Sequence, residues 1–81
     1  MLRAIVSKRV IDRLIREKLR QTASCEGVTA LPIVWRHRLG AECNWEIPGW
    51  MGTSRAVQRC TSATAAFVES LEAQFDIADE A

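Results

Sequence analysis

Apolar residues recur at helical spacing early in the chain. Within "KRVIDRLIREKLRQT", residues 8–22, Val10, Ile11, Leu14 and Ile15 share one face and Leu19 lies at its edge. Ser7 stands where an N-cap belongs, so a helix is predicted over residues 7–23. Residues 1–6 either extend it or form an extended lead-in. Cys25-Glu26-Gly27 reads as the closing turn, with Gly27 free to take a positive φ.

The period then changes from helical to alternating. In "VTALPIVWRH", residues 28–37, Thr29, Leu31, Ile33, Trp35 and His37 alternate onto one face of a strand. Pro32 cannot donate a ladder hydrogen bond and places at least half of this strand at an edge. Residues 38–42, "RLGAE", read as a turn. A second strand follows over residues 43–47, "CNWEI", with Cys43, Trp45 and Ile47 on one face. A five-residue loop sets His37 opposite Cys43, Trp35 opposite Trp45 and Ile33 opposite Ile47. Arg36, Asn44 and Glu46 then point outward, and a one-residue slip would destroy that separation.

Pro48-Gly49 ends the strand, and Thr53 or Ser54 can cap a second helix over residues 53–75. Its apolar stripe reads Ala56, Cys60, Ala63, Phe67, Leu71 and Phe75, with small residues in the middle. Residues 76–81, "DIADEA", read as a frayed acidic tail. The predicted architecture is a single α+β domain of order α-β-β-α, with both helices on one face of an antiparallel hairpin. Two strands make a marginal sheet, and a homodimer joining two hairpins into a four-stranded sheet would relieve that.

Composition adds little to this picture: 48% of residues are hydrophobic and 26% charged, an ordinary globular balance. The formal charge of +1 is unevenly spread. Residues 1–20 carry seven basic groups against two acids, for +5, and residues 69–81 carry five acids and no base, for −5. Arg9, Arg13, Arg16 and Arg20 recur at spacings of four, three and four, which makes one ridge on the first helix opposite its apolar face. Arginine forks suit phosphate or carboxylate. The ridge is thus a candidate surface for an acidic protein partner, a second copy's Glu69–Glu80 region included, or for nucleic acid. Asp12 with Arg16 and Arg13 with Glu17 would instead make i,i+4 pairs of a solvated face. Trp50, beside Met51 in a glycine-flanked loop, is either a lid on the core or a partner contact.

The three cysteines, Cys25, Cys43 and Cys60, are odd in number and form no CxxC pair. They read as free thiols in a cytoplasmic protein. The short run Ala4–Val6 is cut off by Ser7, Lys8 and Arg9 and makes no signal-peptide core, and no run is long enough to span a bilayer. Together with His37, the cysteines supply four soft ligands, the number a structural zinc site requires. Their spacing offers no close pair to nucleate it, so no metal or other cofactor is expected. A Cys–His nucleophile pair lacks an orienting third group, and no phosphate-binding glycine loop occurs. Glu42 and Glu46 read as surface charges.

The segment "GAECNW", with the following helix that ends in an aromatic and an acidic tail, resembles small uncharacterised bacterial proteins of helix–hairpin–helix organisation. The resemblance covers residues 25–75 and implies a compact domain without implying an activity or a site. The functional expectation is a non-enzymatic protein–protein interaction module. The alternatives are nucleic-acid binding through the arginine ridge and, third, a Cys/His metal or thiol function.

Overall fold

The computed structural model describes residues 2–38 and 40–78. Its order is β1 (Ala4–Val6), α1 (Lys8–Gln21), a 3-10 turn (Ala23–Cys25), β2 (Thr29–Ala30), β3 (Val34–Trp35), β4 (Trp45–Glu46), β5 (Trp50–Met51), α2 (Ser54–Gln74) and β6 (Phe75–Ile77). The class is a mixed α+β fold, but the predicted α-β-β-α arrangement is wrong. Strands begin and end the order, and β1 pairs with β6 in parallel. The lead-in is a strand. The expected acidic tail begins inside β6, where Asp76 and Ile77 are buried. Leu39 of the predicted turn and residues 79–81 of the tail lie outside the described residues.

Helix α1 forms where the period placed it. Ile11, Ile15 and Leu19 are buried at i, i+4 and i+8. Ser7 is its N-cap in extended conformation but makes no side-chain cap bond; its carbonyl accepts from Val10 N at 3.0 Å. Lys18 and Arg20 in the last turn complement the helix dipole. Thr53 caps α2 through its side chain, accepting from Ala56 N at 3.2 Å. The buried face of α2 is rotated from the predicted stripe. Thr64, not Ala63, joins Cys60 and Leu71 in the core, with its hydroxyl donating to Cys60 O at 2.9 Å. That bond hides the polar atom and leaves a methyl group for packing.

The chain from residue 29 to 51 keeps one antiparallel register. Thr29 faces Met51, Ala30 faces Trp50, Val34 faces Glu46 and Trp35 faces Trp45. Counting inward along both arms places Pro32 opposite Pro48. Neither can donate to a ladder, so the hairpin splits there into two two-residue pairings. The Ile33 N–H beside the break finds a partner outside the ladder, donating to Asp12 Oδ1 of α1 at 2.8 Å. The unbroken hairpin expected as a platform for two helices, and as the joint of a four-stranded dimer sheet, is therefore absent.

The core is formed by α1, α2 and inward residues of the hairpin, among them Ile33 and Trp45, both fully buried. Trp35 departs from expectation. It pairs with Trp45, yet it is 45% exposed, with its ring edge-on to His37 at 6.2 Å. The covered side at this end of the hairpin is filled by one indole, Trp45, whose Nε1 donates to Phe75 O of β6 at 3.0 Å.

A disulfide joins Cys25 in the 3-10 turn to Cys60 in α2. The expectation of three free thiols is thus corrected, and only Cys43 is free. Two factors hid the bond in the sequence: 35 residues separate the partners, and an odd count leaves the pairing open. A loop of that length is worth about 2–4 kcal/mol when closed. Gly27 takes φ +78° in the turn after Cys25. Gly52 takes φ +143°, and a Cβ there would stand 3.1 Å from Gly27 O, so glycine lets the two segments meet.

Candidate functional site

The arginine ridge is a feature of the folded surface. Arg9, Arg13, Arg16 and Arg20 are all exposed, because Ile11, Ile15 and Leu19 on the other side of α1 supply the core. The intrahelical pairs that would have neutralised it do not form. Among the described residues the ion pairs are Arg36–Glu42 at 3.3 Å and Arg38–Asp76. Asp12 turns away to receive the Ile33 N–H. Its role is to close the proline gap in the hairpin, and the neighbouring guanidinium groups of α1 form no ion pair with a carboxylate among the described residues.

The ridge borders an open groove of about 800 Å3 between the C-terminal half of α1 and residues 22–32. Ile15, Leu19, Val28, Leu31 and Pro32 contribute apolar surface, and the charged lining is Arg16 and Arg20 with Asp12 and Glu26. Leu31 is 37% exposed there. The groove lies where the chain turns at Cys25–Gly27 to leave α1; the hairpin pairs on to Leu31, whose N–H donates to Gly49 O at 3.0 Å, and stops at Pro32. The groove could not be read from helical or strand periodicity. Arg9, Arg13 and Arg16 also line a second depression with Ser7, Val10 and Asp12.

The other sequence candidates are dispersed. Trp50 is half-buried in β5 and packs against the core, so it serves as a partial lid. Of the metal candidates, Cys25 and Cys60 are bonded to each other. Cys43 is buried, its thiol donating to Trp45 O at 3.3 Å, and His37 is exposed beside Trp35. The fold therefore does not bring the four together, and no group of three or more metal-capable side chains occurs among the described residues. Glu42 is paired with Arg36, and Glu46 is exposed.

One polar cluster was not anticipated. Asn44, expected to face outward, clamps β6: its Nδ2 donates to Ile77 O at 2.9 Å, and its Oδ1 accepts from Ile77 N at 2.8 Å. Its backbone N–H donates to Asp76 Oδ1 at 3.1 Å, and Arg38 pairs with the other carboxylate oxygen. Asp76 is thereby buried with its oxygens satisfied, as a buried carboxylate requires. The cluster joins β6 to the hairpin. Among the described residues no helix is long and apolar enough to cross a membrane. Compared with protein-family models, curated proteins and solved structures, the chain matches none.

Proposed function

We propose that this chain is a small protein–protein interaction module that receives an acidic segment of a partner along α1. The observation that carries this reading is the combination of four exposed arginines, none paired with a carboxylate among the described residues, and an adjoining groove with an apolar floor. Planar guanidinium forks favour carboxylates bound in pairs. The groove gives aliphatic side chains of the same segment a place to leave water. A long uniform polyanion such as nucleic acid would use the arginines and leave the groove unfilled, which is why the protein partner is preferred. The acidic end of a second copy is a weaker candidate, since Asp76 is already buried against Arg38 within its own chain. The cytoplasmic setting expected from three free thiols loses that support, because disulfides such as Cys25–Cys60 persist mainly in oxidising compartments.

The test is a fluorescence titration with two probes, a labelled acidic peptide containing aliphatic residues and a random-sequence DNA duplex. The peptide should bind, and the double variant Arg13→Gln, Arg16→Gln should bind it at least tenfold less. Leu31→Glu should weaken it as well, through the groove. Binding of the duplex alone, with a log-affinity that falls steeply with log salt, would give the surface to nucleic acid. Failure of both probes would leave α1 an ordinary solvated face.

A further inference from the structure

The terminal strand pair has two edges, and the structure treats them differently. On β6 the outward backbone groups are covered: Phe75 O accepts from Trp45 Nε1, and Ile77 N and O are both held by Asn44. On β1 they are not. Ala78 N donates to Val6 O at 3.0 Å, so Val6 directs its backbone groups at the β6 side. Alternation along a strand then turns the N–H and C=O of Ile5 the opposite way. Strand edges are usually kept short or blunted by a charge, a proline or a bulge, and β1 has only its three-residue length. "AIV" at Ala4–Val6 has no charge and no proline, and it pairs residue for residue with β6. Instead it displays apolar side chains: Ile5 is 72% exposed and Leu2 99%.

We infer that the outer edge of β1 is a self-association site, at which β1 of a second copy adds antiparallel about a two-fold axis through Ile5. The occupant is chosen by the residues themselves. Centred on Ile5, the pairing sets Ala4 against Val6 of the second copy and brings Arg3 beside Ser7, where the second copy's α1 begins and the ladder stops. No like charges meet directly, although this end of the chain is strongly basic. Ile5, the residue whose backbone groups point outward, becomes the central hydrogen-bonded pair, in which each copy donates one N–H and accepts one. Arg3 is drawn aside, its Nε donating to Glu72 O of its own chain at 2.6 Å. Such an isologous contact satisfies both copies at once. It does not involve the proline-broken hairpin, and it does not depend on the arginine surface of α1.

Sedimentation velocity over a concentration series, with amide exchange at Ile5 followed by NMR, tests this. The wild-type chain should show a monomer–dimer equilibrium, and exchange at Ile5 should slow as concentration rises. Ile5→Pro removes the outward N–H but none of the bonds from β1 to β6, and it should weaken dimerisation at least tenfold while helical circular dichroism is kept. Ile5→Lys, which sets two ammonium groups together across the axis, should do the same and serves if the proline variant does not fold. Arg13→Gln with Arg16→Gln should leave the dimer intact. A wild-type chain that stays monomeric up to about 1 mM, the weak end of specific binding, with Ile5 exchanging at an unprotected rate throughout, would overturn the inference. So would a folded Ile5→Lys protein that dimerises unchanged.

Discussion

The hairpin between residues 29 and 51 and the terminal pair β1–β6 are both small antiparallel or parallel ladders, yet they are held by different means. The hairpin partners lie close in sequence, so closing their loop costs little entropy. It survives two opposed prolines because Asp12 takes up the N–H beside the gap. The terminal pair joins Ala4 to Phe75 and Val6 to Ile77, near the two ends of the chain. Three residues of parallel ladder are weak alone. What keeps β6 in place comes largely from the hairpin: the Asn44 amide on Ile77, the Asn44 N–H and Arg38 on Asp76, and the Trp45 indole on Phe75. The local element thus acts as a jig for the non-local one. Trp45 belongs to both, and Trp35, its partner across the ladder, belongs only to the hairpin.

That dependence is most directly broken at Trp45. Trp45→Ala opens a cavity in the core and leaves Phe75 O without its donor, and it should cost about 3–5 kcal/mol, much of the margin of so small a domain. Urea unfolding followed by circular dichroism measures it, and a loss below about 1 kcal/mol would show that β6 is held without the indole. Asn44→Ala comes next. It removes the two side-chain bonds to Ile77 and should cost about 1–3 kcal/mol. In amide exchange the loss of protection should fall on residues 75–77 and the β1 residues facing them, with β2–β5 little changed; equal loss in both regions would mean that the two ladders open as one unit. Trp35→Ala should be the mildest, within about 1 kcal/mol, because the ring is half in water and gives up mainly a cross-strand contact. A cost approaching that of Trp45→Ala would place Trp35 in the core after all.

Amino-acid pattern alone determined whatever depends on neighbours in sequence. The period of Ile11, Ile15 and Leu19 was sufficient for α1 and for the exposure of its arginine ridge, since a helix with one apolar stripe must turn its other side to water. Thr53 as a cap and the pairing of Trp35 with Trp45 were legible for the same reason. Tertiary structure decided the rest. Pairing of β1 with β6 joins segments whose individual signals, "AIV" and "FDI", are too short to stand apart from a lead-in and a tail. The Cys25–Cys60 bond depends on where the turn after α1 meets α2. Of the paired Trp35 and Trp45 only the second is covered, because alternation can assign a side but not how much of it the fold will cover. Asp12 and Asn44 read as surface residues because a polar side chain carries no sign of the backbone group it will meet. Each found an otherwise open N–H or C=O brought near by the fold, and burial without such a partner is too costly for those groups to be left bare.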